Sequence, residues 1–190
     1  MALNIFLLHD DIKICALSHC NRHTVSQIKE YCQLLSTAHR VLDGILCEGF
    51  SKSGRKRNIL RLDDHRDEIL YRETHINHPS AIWVRENSSN YLYLHKLLDE
   101  LNKEYTHRYQ REHKSITIGL VDILSHLPTN ITKSTTMSPM PQCMPDEFKV
   151  EGDSVKAYQN YYIGAKHSIL QYKRREIPEF LSSIGLGEQT

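Results

Sequence analysis

Two long stretches of this chain repeat their hydrophobic positions every three or four residues. Behind Asn21, which can cap a helix, Val25, Ile28, Cys32, Leu35, His39 and Leu42 share one helical face until Gly44 ends it. From about Ser88 to His113, Tyr91, Leu94, Leu98, Leu101 and Tyr105 form an apolar stripe, with Leu97 and Tyr109 beside it. Both stripes read as core. Asn4 to Leu8 is a short extended run, and Asp10 and Asp11 then supply a cap and N-terminal negative charge for a helix to about Cys20. Ile116 to Leu124 reads as a short helix or part strand. Asp153 or Ser154 caps a last major helix to about Leu170, and Ile177 and Pro178 open a terminal turn through Phe180 and Leu181.

The period fails in two places. Between about residues 45 and 77 it disappears while Lys52, Arg55, Lys56, Arg57 and Arg61 accumulate without an acid among them, which predicts a mobile basic loop insertion. From about 127 to 150, Pro128, Pro139, Pro141 and Pro145 forbid helix interiors. A loop that long in a small domain is usually functional or disordered. The expectation is a mainly α fold: one compact helical domain over residues 1–190, carrying a basic loop, a Pro-rich loop and at most a minor β element.

Composition narrows the function. At 190 residues and 39% hydrophobic content the chain can bury one core and not two ordinary ones. A formal net charge of +1 excludes a polybasic tail protein, so nucleic-acid binding would need a local patch. The first apolar run, Ile5 to Leu8, is too short for a signal peptide and no 18-residue apolar stretch occurs, which predicts a cytoplasmic protein with no membrane partner. Five cysteines without a CxxC pair suit reduced thiols, with Cys15, Cys32 and Cys47 as small core residues.

Several polar groups are more than a helical core requires. His19 and His23 stand at i, i+4, a spacing usable by zinc, and His75 and His78 could add ligands if their loop folded back; a hydrogen-bonding role for His23 is the simpler reading. Glu30 lies on the same helix as Gln33, Ser36, Thr37 and His39, hydrogen-bonding side chains in an otherwise apolar stretch that need partners or a ligand. A solvated face is the plainer account of Glu30. Asp146 sits on a loop stiffened by Pro141 and Pro145, and would otherwise cap a turn; Gln142 nearby offers an amide suited to a base or sugar edge. Trp83, Arg85, Asn90 and Tyr91 before or at the start of the long helix, and Tyr105, Arg108, Tyr109 and Lys114 near its end, mix aromatic and basic groups as DNA binding requires, although tyrosines at this spacing also build cores.

The succession HCNRH (19–23), QLLSTAHRVLDG (33–44), THINHPSAIWVRE (74–86), NYLYL (90–94), EYTHRY (104–109), QCMPDEF (142–148) and AYQNYYI (157–163) resembles a family of small proteins from phage genomes and phage-defence loci. The resemblance covers nearly the whole chain and reaches a DNA glycosylase type that removes α-glucosyl-hydroxymethylcytosine. Where the family motif reads HCDKH this chain has HCNRH, so no role of an acid transfers to Asn21.

The resemblance implies double-stranded DNA carrying modified bases as partner, no cofactor and no metal, and a monofunctional glycosylase that flips the base and leaves an abasic site. Asp146 and Glu30 are then the candidate catalytic carboxylates, with His23 or His39 hydrogen-bonding the departing base. Gln33, Asn90 and Gln142 would read the base or its sugar, Trp83 and Tyr91 would line the pocket, and Arg55, Lys56, Arg57, Arg85, Arg108 and Lys114 would hold phosphates. The competing readings are a phage enzyme that builds a hypermodified base, a metal-dependent hydrolase using His19, His23, His75 and His78, and a non-catalytic DNA-binding protein.

Overall fold

The computed structural model describes residues 3–50 and 53–184. Lys52, counted above in the basic stretch, lies outside them. Asp11 caps α1 (Ile12–Ser18), its carboxylate accepting from the Ile14 amide at 2.9 Å. Next comes α2 (Asn21–Asp43). Its cap position is Cys20, because the Asn21 side-chain oxygen is occupied elsewhere, accepting from the Lys173 amide and the Arg108 guanidinium.

The stretch after Gly44 is structured, contrary to the expected mobile insertion. β1 (Ile45–Phe50) pairs antiparallel with β2 (Lys56–Arg61), and the one-turn helix α3 (Arg66–Ile69) follows. Apolar alternation was the wrong signal, because Arg40 organises the region by charge. Fully buried, Arg40 donates to the carbonyls of Leu60, Asp67, Leu70 and Tyr71 and pairs with the Asp67 carboxylate. One guanidinium thus satisfies the backbone oxygens of a segment with few apolar side chains to bury.

Pro79 opens α4 (Pro79–Glu86), and Asn87 caps the long α5 (Ser88–Tyr109) through the Asn90 amide at 3.0 Å. Two single turns, α6 (Lys114–Thr117) and α7 (Leu120–Ile123), lead to the Pro-rich segment. Asp153 caps α8 (Ser154–Ala165), and short 3₁₀ turns occupy Asp146–Phe148, His167–Ile169 and Glu179–Ile184. The fold is mainly helical with one small antiparallel sheet among the described residues, and none of its helices is long and apolar enough to cross a membrane.

At the centre α5 packs against α1, α2 and α4. The expected stripe of Tyr91, Leu94, Leu98, Leu101 and Tyr105 is buried, facing Tyr31, Leu34, Leu35 and Ala38 of α2 within one apolar cluster. Each fully buried leucine contributes about 1.5–3 kcal/mol. Val25 departs from the expected stripe: it is exposed and borders a cavity. Cys15, Cys20 and Cys32 are buried free thiols, whereas Cys47 is only half-buried on the hairpin rather than in the core.

The Pro-rich segment is an ordered strap. Ser88 and Ser89 hydroxyls donate to the Ser134 carbonyl, Asn90 binds Ser138 through both ends of its amide, and the Trp83 indole donates to the Ser138 carbonyl at 3.0 Å. Farther along, the Tyr158 hydroxyl donates to the Pro141 carbonyl at 2.9 Å. Backbone groups that prolines keep out of helices are thus satisfied by side chains of neighbouring helices.

Candidate functional site

Along α2, His23, Ser26, Gln27, Glu30 and Gln33 follow one another at helical spacing and face two cavities rather than the core. The smaller, about 390 Å³, lies between α2, the extended N-terminal segment and the end of α8; the larger, about 630 Å³, lies between α2, the Tyr71–His75 segment and α6. Ser26 and Glu30 border both, so the two form one cleft with Glu30 at its waist.

Polar groups in the smaller chamber are buried without partners. Asn4 Oδ1, Gln27 Oε1 and Glu30 Oε2 accept no hydrogen bond from the described residues. Leaving a buried acceptor unmet costs about 1–3 kcal/mol, so three such atoms in residues that line one chamber are unspent bonding capacity. Burial pushes the Glu30 carboxyl above the ordinary glutamate value; the Gln27 amide and the Lys29 charge oppose this, although no well-formed hydrogen bond joins Glu30 to Gln27.

His23 completes this wall. Its ring stacks on Phe6, with centroids 4.4 Å apart, and Phe6 stacks in turn against Tyr161. Burial, followed by the charges near it, lowers the His23 imidazole to about 3, so the ring is neutral at pH 7. Nδ1 meets the Tyr162 hydroxyl, which burial keeps protonated. With that phenol as donor, the imidazole proton sits on Nε2. Arg22 and Lys166 stand at the rim, with Lys166 Nζ lying 4.5 Å above the Tyr161 ring.

The larger chamber adds Gln33, Tyr71, Thr74, His75, Lys114 and Lys29. His75 holds a left-handed backbone (φ 47°), a conformation uncommon for residues with a Cβ. Thr37 fixes the adjoining strand of chain by accepting the Thr74 amide at 3.2 Å.

Of the candidate site residues singled out in the sequence, the cleft gathers Glu30, His23, Gln33, His75 and Lys114 and leaves the others outside. Asp146 is 94% exposed on its 3₁₀ turn and pairs with Lys149, which holds it below the usual carboxylate range. Gln142 donates to the Val150 carbonyl and accepts the Val150 amide, closing its own loop. His39 binds the Tyr91 hydroxyl through Nε2 and the Arg66 guanidinium through Nδ1, and Tyr91 donates onward to the Leu124 carbonyl. Trp83 and Asn90 hold the strap. Arg108 is fully buried against Glu104, Asn21 and the Leu17 carbonyl, so it cannot reach a phosphate. Arg85 is spent on the Ile76 carbonyl, while Arg55, Lys56 and Arg57 are surface residues of the hairpin.

The four histidines considered for a metal do not converge. His19 uses both ring nitrogens internally, on the Cys15 carbonyl and the Tyr31 hydroxyl, and His78 caps α4. No group of three or more His, Cys, Asp or Glu side chains among the described residues is arranged to hold a metal ion.

Asn4, Phe6, Ser26, Gln27 and Lys166 were not singled out from the sequence. The available signal was the polar run at 23, 26, 27, 30 and 33, a second helical stripe beside the apolar one. No protein-family model, curated protein or solved structure matches this chain.

Proposed function

We propose that this protein is a monofunctional DNA glycosylase that draws a modified cytosine out of the duplex into the cleft and hydrolyses its N-glycosidic bond at Glu30. One observation carries this reading: the acceptors of Asn4, Gln27 and Glu30 that no described residue meets, beside the neutral ring of His23. Cytosine presents the complement, an exocyclic amino group that donates and ring atoms that accept. His23 and Tyr161 place aromatic rings in the chamber lining, side chains of the kind that hold extruded bases.

In this reading Glu30 receives a proton from water as the water oxygen bonds to C1′. The C1′–N1 bond breaks, its electron pair leaves with the base, and His23 donates a hydrogen bond to the base as negative charge develops there. The unpaired carboxylate also stabilises the positive charge that builds on the deoxyribose, the role carboxylates play in sugar hydrolysis. Arg22, Lys29, Lys114 and Lys166 at the rims suit the flanking phosphates. The larger chamber has room for a substituent on the base, consistent with the glucosylated cytosine that the sequence resemblance implies.

The test is incubation with DNA containing α-glucosyl-hydroxymethylcytosine, hydroxymethylcytosine or cytosine, followed by mass analysis of released material. Free modified base together with abasic sites is expected. A heavier nucleotide left in the DNA would favour base synthesis instead, and no release from any of the three would overturn the proposal.

A further inference from the structure

Hydrolysis of an N-glycosidic bond at Glu30 requires C1′ at the waist of the cleft, with the base on one side and the remainder of the substrate on the other. The two sides differ in chemistry. The smaller chamber carries the unmet acceptors of Asn4 and Gln27 and the neutral His23 ring. The larger carries two lysines from separate elements, Lys29 of α2 and Lys114 of α6. Acceptors, carboxylate and cations therefore follow one another through the cleft. A nucleotide has the matching order: base, C1′, 5′-phosphate.

Charge selects the form of that phosphate. Among the described residues that line the two chambers, Arg22, Lys29, Lys114 and Lys166 are the cations and Glu30 is the one acid, a formal net charge of +3 in a chain whose total is +1. Lys166 lies over the Tyr161 ring, whereas Lys29 and Lys114 are exposed at the mouth of the larger chamber and form no ion pair among the described residues. A backbone diester carries a single negative charge, and a terminal phosphate monoester carries about 1.5–2 at pH 7. The monoester is thus drawn more strongly to a pair of lysines.

Size and energetics agree. Chambers of about 390 and 630 Å³ lie in the range that encloses a small-molecule ligand. A free nucleotide also enters without the unstacking cost that a base in a duplex incurs. We propose that the cleft accepts free 2′-deoxycytidine 5′-monophosphates as well as the extruded nucleotide, holding the 5′-phosphate with Lys29 and Lys114, and hydrolyses them to the free base and 2-deoxyribose 5-phosphate. Water supplies both new bonds. Its oxygen joins C1′, the C1′–N1 electron pair leaves with the base, and the proton that Glu30 takes from water ends on the base, so no oxidant, reductant or second substrate is consumed. With the phosphate at the mouth, the interior of the larger chamber stays open to a substituent on the base. The inference rests on the hydrolytic reading of Glu30 and is independent of duplex binding.

Full-length protein is incubated with 2′-deoxycytidine 5′-monophosphate, its 5-hydroxymethyl derivative and the two matching nucleosides, and released base is measured by mass analysis beside the DNA substrates. At least one nucleotide should be hydrolysed, with kcat/KM about tenfold or more above that of its nucleoside, the scale of one hydrogen bond to a charged group. Most of the gain should lie in KM, because the phosphate is bound alike in ground and transition states. Lys29→Ala and Lys114→Ala should each shrink the nucleotide-to-nucleoside ratio, and Lys114→Arg should preserve it. Calorimetry on Glu30→Gln reads binding without turnover: 2′-deoxycytidine 5′-monophosphate should bind more tightly than deoxycytidine, and inorganic phosphate should compete with it.

Base release from DNA with no hydrolysis of either nucleotide would overturn this inference and leave the glycosylase reading standing. Equal hydrolysis of nucleotide and nucleoside, or a ratio that neither alanine variant moves, would overturn the placement of the phosphate. Hydrolysis of nucleotides with no release from any DNA would uphold the inference and overturn the duplex reading, and inactivity on every substrate would overturn both.

Discussion

Glu30 and Glu104 are both buried glutamates on long helices that meet in the core, and they are treated in opposite ways. Glu104 is neutralised twice, by Arg108 one turn along α5 and by Arg175 from the C-terminal segment. Among the described residues Glu30 forms no ion pair, and one of its oxygens accepts no hydrogen bond. Burial alone therefore does not single out a candidate carboxylate; burial with unspent bonding capacity is what points to Glu30. Glu104 joins two segments, whereas Glu30 leaves its bonding to whatever enters the cleft.

The largest expected effect follows from substituting Glu30. In Glu30→Gln, base release should fall by at least about 10²-fold, the scale of a positioned acid–base group, while the melting temperature holds or rises because an unpaired buried charge has gone. Full activity in this variant would remove Glu30 from the mechanism. Glu104→Gln should behave in the reverse sense. Two cations lose their counter-charge, and urea denaturation should show a loss of about 3–5 kcal/mol, with activity per folded molecule preserved.

Acid extends the contrast. Burial lowers His19 and His39 to about 4 and His23 to about 3, so each folded imidazole stays neutral after its unfolded counterpart has taken up a proton near 6.5. Below pH 6.5 the unfolded chain binds more protons and stability should fall towards pH 4, by about 1.4 kcal/mol per unit of depression for each ring. Glu30 works the other way: its folded pKa is raised, so protonation on acidification relieves the buried charge. Melting curves of wild type and Glu30→Gln should therefore differ most at neutral pH and draw together as pH falls through the folded Glu30 value; parallel curves would contradict this. The smallest effect is expected at Asp146, solvent-exposed and paired with Lys149, where Asp146→Asn should leave turnover and melting temperature unchanged.

The same contrast explains what the sequence could show. The stripes of α2 and α5 were legible because apolar period reflects which face is buried, and the terminal turn and the caps at Asp11 and Asp153 follow local rules. The hairpin was not legible, since Arg40, a residue distant in sequence, organises it. Within the candidate site, Glu30, His23 and Gln33 were found because polar groups in an apolar helix need partners. His39, Asn90, Tyr91 and Gln142 satisfied the same criterion and proved to have protein partners. One-dimensional pattern states the demand for a bond without saying who meets it. Asn4, Phe6, Tyr161 and Lys166 reach the cleft from the two ends of the chain, and only tertiary packing brings them to α2.

Because His23, Ser26, Gln27, Glu30 and Gln33 all project from one rigid helix whose opposite face is locked into the core, the proposed recognition surface is genetically compact. A single mutagenic cassette spanning codons 22–33 reaches both chambers, so a selection that randomises the cleft-facing codons and keeps the core-facing ones can search for new base preferences without disturbing the scaffold.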